Sequence, residues 1–286
     1  MTLAVTGSTG HLGVRVVDLL GDAVDRLVVR DASRAPQLPW APQVTVAAYA
    51  DGEAARAALA GVDVLFMVSG AESPTRRQEH RTFVEAAGAA GVGHVVYTSF
   101  AGASPDALFT LGRDHADTEA AIRTSGMRCT FLRDSFYADA LTLFAGDDGV
   151  IHGPAGQGRV ALVTRDDVAH AAAAVLRDPA SHIGATYTLT GPEAVTLTEA
   201  TARLSAVLEG SAVLGSSVTG RTFRFVDQTL EQAYTSRRQW SQEQWQLDAW
   251  VSTYTAIRDG EVAAVTADVE RLTGHAASPL EDAFRS

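Results

Sequence analysis

Apolar positions recur with two different periods along the first half of the chain, and the two periods alternate. Residues 2–6 (Thr-Leu-Ala-Val-Thr) are a short apolar run of β-type residues, which predicts a strand buried on both faces. Leu12, Val16, Val17, Leu19 and Leu20 then recur at helical spacing until Gly21 stops them. Further runs predict strands over 26–30, 44–47, 62–68, 93–97 and 127–132. Between them, 53–60 reads as an alanine-rich helix, and Pro74 opens another with Phe83, Val84 and Ala87 facing inward. Arg76, Arg77, Glu79, Arg81 and Glu85 fall on the wet side of that helix, where a solvated charged face is expected. This alternation predicts an α/β fold, a doubly wound parallel sheet with right-handed crossovers. Such a sheet binds its ligand beyond the carboxyl ends of the strands.

The first strand and first helix are joined by Gly7-Ser8-Thr9-Gly10-His11-Leu12-Gly13, with spacing G-x-x-G-x-x-G. In a strand–turn–helix setting Gly7 permits the sharp turn, Gly10 lets backbone approach a pyrophosphate, and Gly13 lets the helix pack closely. The helix N-terminus adds unpaired N–H groups and a positive dipole end, both suited to a diphosphate. An ordinary glycine-rich turn is the competing explanation in a chain with 25 glycines, and the flanking strand and helix favour dinucleotide binding over it. The second strand ends at Arg30, followed by Asp31 and Arg34. In this fold that position faces the adenosine ribose: a guanidinium fork suits a 2′-phosphate, an acid suits the ribose diol. Two arginines against one acid favour NADP(H), and Asp31 keeps NAD(H) open; a solvated charged turn is the alternative without a ligand. Ser69-Gly70 leaves the fourth strand as a small-residue exit where a cofactor can lie against backbone.

Past residue 135 the rhythm loosens. Residues 149–158 are turn-rich, strands are expected at 159–163, 186–189 and near 223–226, and helices from Asp166-Asp167 through Leu176 and over 198–208. The helical C-terminus carries Trp240, Trp245 and Trp250, whose five-residue steps do not share one helical face. They are expected to pack between a C-terminal lobe and the sheet, or to wall an apolar pocket. The expected division is an NAD(P)-binding domain over 1–150, with sheet segments returning at about 159–190, and a smaller, mainly helical lobe over 191–286 closing the substrate side of the cofactor cleft.

Composition narrows the function. A chain of 286 residues can bury about three quarters of its unfolded surface, so it needs no staples. No apolar run approaches the roughly 20 residues of a membrane helix, and the N-terminus lacks the basic, apolar and cleavage pattern of a signal peptide. Cys129 is the sole cysteine, which rules out an internal disulfide and a multi-thiolate metal site; a small core residue is expected there. A cytoplasmic location, no metal and no membrane partner follow as expectations. The net charge of −11, from 23 basic and 34 acidic residues, argues against nucleic acid. Every basic residue is an arginine, so the tyrosine–lysine pair of typical short-chain dehydrogenases cannot exist here.

What stands in the equivalent stretch is Leu111 to Glu119, in which His115 has the one unperturbed pKa near neutrality. It is a candidate proton donor or polariser at the nicotinamide end, or else a helix-surface histidine paired with Asp114 or Glu119. Ser99 is a candidate to hydrogen-bond a substrate oxygen, or a simple cap. After the sixth strand, Asp134-Ser135-Phe136-Tyr137 offers a donor in Tyr137 and a stacking wall in Phe136, or plain packing.

Taken together, Ala4 to Gly13, Val28-Val29-Arg30, Tyr97-Thr98-Ser99, Asp114-His115 with Thr118-Glu119, and Thr130 to Arg133 resemble the NmrA-like atypical short-chain dehydrogenases. Among these the resemblance is to type 2 NAD(P)H:quinone oxidoreductases and triphenylmethane reductases. It runs from residue 2 to Leu272-Thr273-Gly274 and Pro279-Leu280. It implies a Rossmann domain with a small C-terminal α/β lobe, NADP(H) at the glycine turn and at Arg30, and reduction of quinones, dyes or similar acceptors. By the same resemblance Gly7, Thr9, Gly10, His11, Leu12, Gly13, Arg30, Ser69 and residues 134–137 match cofactor-contacting positions. Ser8, Arg34 and Gly70 complete the expected cofactor set, and His115 matches a position where benzylic ether reductases carry a catalytic lysine. Two departures add negative charge near the cofactor: Asp134, where relatives carry asparagine, and Asp31. The expected activity is hydride transfer from NAD(P)H to a small apolar or conjugated acceptor, an oligomer being compatible with it. A non-catalytic NAD(P)-sensing regulator and a natural-product tailoring reductase are the alternatives.

Overall fold

A computed structural model describes residues 1–210 and 222–284. In chain order the strands and helices are β1 (Leu3–Thr6), α1 (His11–Leu20), β2 (Arg26–Val29), β3 (Gln43–Val46), α2 (Gly52–Leu59), β4 (Val64–Met67), α3 (Arg76–Ala89), β5 (His94–Phe100), α4 (Thr110–Thr124), β6 (Arg128–Asp134), β7 (Val150–Gly153), β8 (Arg159–Val160), α5 (Arg165–Arg177), β9 (Thr186–Leu189), β10 (Val195–Thr196), α6 (Leu197–Gly210), β11 (Arg224–Asp227), α7 (Leu230–Arg237), α8 (Gln244–Arg258) and α9 (Asp268–Thr273). Two compact units result: residues 1–105, 113–133 and 168–188 in one, and 106–112, 134–167 and 189–286 in the other. The chain thus crosses between units more often than a boundary near 150 and 191 implies. The backbone bonds of 135–138 explain part of this, because Ser135 N–H donates to Leu189 O and Ala138 N–H to Val163 O within the second unit.

The first unit is built on a seven-stranded parallel sheet in the order β3-β2-β1-β4-β5-β6-β9. This is the α/β doubly wound arrangement the alternation predicts. The chain runs outward from β1 through β2 to β3, then crosses to β4 on the other side of β1, so the direction of winding reverses between β1 and β4. Loops leaving those two strands at their carboxyl ends diverge, and the gap between them is where such sheets bind ligands. Strands β1, β4 and β5 are buried throughout, as their unbroken apolar runs require. Leu59, Leu65, Phe83, Val95, Tyr97 and Phe131 pack in one core, with Cys129 half-buried against it. β3 lies at the sheet edge with Val44 and Val46 exposed.

In the second unit β7 pairs in parallel with β11, and β8 pairs antiparallel with β10. The strand expected over 159–163 stops at Val160 because the chain's next bonds go elsewhere: Ala161 N–H to Val262 O and Val163 N–H to Phe136 O. Thr229 and Gln232 form a reciprocal capping box at the start of α7. Trp240 is 66% exposed, which corrects the expectation that it packs; Trp245 and Trp250 are half-buried. Among the described residues no helix is long and apolar enough to cross a membrane.

Candidate functional site

The loop after β1 is shaped by two glycines that tolerate no side chain. Gly7 takes φ +66°, and a Cβ on it would lie 2.8 Å from Val68 Cβ. A Cβ on Gly13 would lie 2.2 Å from Gly7 O, so the first turn of α1 is pressed directly onto the loop backbone. Gly10 N–H donates to Gly7 O at 2.9 Å, and Gly10 is the N-terminal cap of α1 without any side-chain cap bond. Thr9, Gly10 and His11 are exposed, Leu12 is buried, and Ser8 is buried with its hydroxyl unpartnered. An uncapped, exposed helix start behind a glycine turn presents free N–H groups to an anion.

At the end of β2, Arg30 and Arg34 are exposed, and their guanidinium groups make no hydrogen bond or ion pair with another described residue; the Arg34 N–H donates to Asp31 O at 3.2 Å. Asp31 is differently engaged: its carboxylate accepts from Ser33 N–H (2.9 Å) and Ser33 Oγ (2.7 Å), and these bonds hold its pKa below the usual value. The acid is therefore turned into its own loop as a cap, and the two guanidinium groups are left free. After β4, Ser69 N–H donates to Thr98 Oγ1 (2.8 Å), and Gly70 N–H donates to His80 Nε2 (2.9 Å).

Beneath that loop lies a buried polar cluster between α3, α4 and β5. Arg76 is 3% exposed, which corrects its assignment to a solvated face. Its Nε donates to Gly70 O (3.0 Å), one terminal nitrogen donates to His115 Nε2 (3.1 Å), and the other lies 3.5 Å from Asp114. A guanidinium only donates, so His115 Nε2 accepts and the ring proton sits on Nδ1, donated to Tyr97 Oη at 3.0 Å. Burial, and then the Arg76 charge, push the His115 pKa well below its ordinary value. His115 is thus neutral with both nitrogens engaged, which is not the free near-neutral imidazole expected of a proton donor. Ser99 is likewise occupied: its hydroxyl donates to Glu119 Oε1 at 2.7 Å. Glu119, 1% exposed, also takes a bidentate pair from Arg133 and a bond from Arg123. Arg77 and Arg81 do lie on the wet side, paired with Asp114 and Asp117.

In the second unit the segment after β6 is a small packed motif. Tyr137 Oη donates to Asp134 Oδ2 at 2.7 Å, the Arg165 guanidinium sits 4.8 Å from the Tyr137 ring centre, and Phe136 meets Phe109 edge-on at 5.2 Å. Asp134 Oδ1 and Ser135 Oγ are buried without partners. Burial raises the Asp134 pKa to about 8, so the group is a neutral acid at pH 7, and the extra charge expected from it in place of asparagine is absent. The sign for stability follows. Between pH 4 and 8 the folded state binds a proton that the unfolded state has released, so stability falls as pH rises through that window and levels off above it. Asp134→Asn should remove up to about 1.4 kcal/mol per pH unit of this slope. Parallel melts from pH 5 to 9 check it, and coincident slopes for the two proteins would contradict the assignment.

Residues 7–179 match the family model described as NAD(P)H-binding. The chain belongs to that family. It is 38% identical over 212 residues to quinone oxidoreductase 2 of Escherichia coli, covering 71% of this chain and 73% of that one. A (4-alkanoyl-5-oxo-2,5-dihydrofuran-3-yl)methyl phosphate reductase of Streptomyces griseus is 34% identical, covering 98% of this chain and 95% of the relative. Among solved structures, the NADPH-dependent quinone oxidoreductase of E. coli complexed with NADPH superposes with a TM-score of 0.84 at 29% identity, covering 98% of both chains.

The chain is an NAD(P)H-dependent oxidoreductase, with NADP(H) favoured and NAD(H) admissible as cofactor. Its own geometry fits a dinucleotide: the cradle at Gly7 and Gly13 closes if a Cβ is added, and the α1 start is uncapped. Sequence reasoning missed Arg76, His80 and Thr98. The available signal was helical spacing: Arg76 and His80 fall on the same face as Phe83, Val84 and Ala87, and only its charge, against that periodicity, puts Arg76 on the wet side.

Proposed function

We propose that this protein reduces a flat conjugated acceptor, a quinone in the first instance, at the expense of NADPH. The reaction balances as NADPH, a proton and the quinone giving NADP⁺ and the hydroquinone. The backbone of Gly7 to Gly13 and the α1 start hold the diphosphate, and Arg30 and Arg34 take the 2′-phosphate. Ser69 and Gly70 line the cofactor; in the second unit, Phe136 offers an aromatic wall and Tyr137 a hydroxyl. Bound NADPH supplies the hydride. The observation that carries this reading is negative: His115 and Ser99, the expected acid and donor, are both spent on internal hydrogen bonds. An acceptor that needs little beyond hydride placement, drawing its proton from solvent, suits such a site. The names of the E. coli and S. griseus relatives support the acceptor class.

Stopped-flow or steady-state absorbance at the NADPH band, with benzoquinone, naphthoquinone and an enone, tests the proposal. Acceleration of NADPH loss by at least one of them is expected, and its absence with all three would end the reading. Arg30→Ala is expected to weaken NADPH binding by about 1.5–3 kcal/mol, the scale of a hydrogen bond to a charged group, with NADH binding little changed. Calorimetric titration of both cofactors checks it. Equal loss for the two would remove Arg30 from the 2′-phosphate.

A further inference from the structure

The segment that leaves β4 has its backbone bonded almost wholly to side chains. Val68 N–H donates to Thr6 Oγ1 (2.9 Å), Ser69 N–H to Thr98 Oγ1 (2.8 Å) and Gly70 N–H to His80 Nε2 (2.9 Å). Val68 O accepts from Tyr49 Oη (2.6 Å), and Gly70 O accepts from Arg76 Nε (3.0 Å). Five bonds thus fix three residues that belong to no strand or helix. What they leave over, among the described residues, is the carbonyl and the hydroxyl of Ser69, which is partly exposed.

Two of the five bonds come from one helix. We propose that His80 and Arg76, a single turn apart on α3, are positioning residues: they grip Gly70 at its N–H and its C=O and hold Ser69 with its two free oxygens turned to the cofactor. This rests on the assignment of Ser69 and Gly70 to the cofactor site.

Direction along the His80 arm is set by chemistry. Thr118 Oγ1 donates to Asp114 O (2.8 Å), so it accepts from His80 Nδ1–H (2.8 Å), which leaves the Nε2 lone pair for Gly70 N–H. His80 is fully buried and Arg76 nearly so. Placing an imidazole and a guanidinium in the interior carries a desolvation cost that apolar residues would not incur. Neither ring nitrogen of His80 is spent on packing: one is oriented by Thr118 and the other serves Gly70. A Cβ on Gly70 would lie 3.0 Å from His80 Nε2, so glycine is what lets the imidazole reach the amide.

Amide isosteres separate positioning from mere bulk. His80→Gln places an amide oxygen near the Nε2 position and keeps the acceptor for Gly70. His80→Asn places its NH₂ near the Nδ1 position, keeping the bond to Thr118 while losing the grip. NADPH fluorescence titration should give an affinity at least tenfold weaker for His80→Asn and within threefold of the parent for His80→Gln. Amide hydrogen exchange should show Gly70 protected in the unliganded parent and in His80→Gln, and fast in His80→Asn. Equal affinities for Asn variant and parent, or equal weakening in both variants, would overturn the proposal. If neither variant folds by circular dichroism, Gly70 exchange in the parent decides: protection supports the grip, and exchange at the rate of a free loop overturns it. A parent that binds neither NADPH nor NADH would instead overturn the cofactor assignment, with the grip still read from Gly70 exchange.

Discussion

Gly13→Ala is expected to abolish measurable NADPH binding while the chain still folds, less stably. The added Cβ would fall 2.2 Å from Gly7 O and 2.5 Å from Gly7 C, both backbone atoms of the loop that holds the diphosphate. No side-chain rotation can relieve that contact, so either α1 moves off β1 or the loop opens. Overpacking of this kind costs about 1–3 kcal/mol, at roughly 2–4 °C per kcal/mol for a chain of this size. The binding loss exceeds the stability loss because the α1 start and the Gly7 carbonyl are displaced relative to each other. Gly10→Ala is the control. Its Cβ would meet only Gly7 O, at an ordinary 3.5 Å, so the melting temperature should hold while affinity falls. Calorimetric titration with thermal melts reads both. Parent-like affinity in Gly13→Ala would mean the diphosphate does not sit on this turn.

Glu119→Ala is expected to give the largest loss of stability of any single change in the buried cluster. The carboxylate is 1% exposed and accepts four bonds: from Ser99, two from Arg133, and one from Arg123. Removing it leaves the Ser99 hydroxyl and the Arg133 guanidinium without their acceptor. Breaking a buried ion pair from one side costs 3–5 kcal/mol. Arg133 keeps 26% side-chain exposure and Arg123 50%, so water recovers part of this and about 3 kcal/mol is expected. The melting temperature should fall by roughly 6–12 °C. NADPH affinity of the folded fraction should hardly change, since no Glu119 bond reaches residues 7–13 or 68–70. A fall of less than 2 °C would show that water replaces the carboxylate, and a large affinity loss would place Glu119 in the cofactor site.

The elements that the sequence made legible are those whose information is local. Residues 2–20 carry a strand-forming apolar run, a glycine turn and a helix with one apolar face, and these signals all lie within one short stretch, although β2, β4 and Val68 complete the structure around them. The parallel sheet follows from the same local alternation repeated, and the absence of lysine excludes one catalytic pair without any coordinates. The polar cluster was not legible, and the reason is physical. His115 has a near-neutral pKa only in water, and Arg76 lies on a wet face only if nothing packs there. α4 packs there. It brings Asp114, His115, Thr118 and Glu119 against α3 and β5, where burial neutralises the imidazole, occupies Ser99, and commits Arg76 and His80 to Gly70. Asp134 turns on the same difference: its charge is a property of the side chain in solution, and its neutrality comes from burial beside Tyr137. The chain's sequence alone determined which backbone turn can hold a dinucleotide. Which side chains are free to act on what it holds was decided by tertiary packing, because solvent exposure and hydrogen-bond partners are set by residues far apart in the chain.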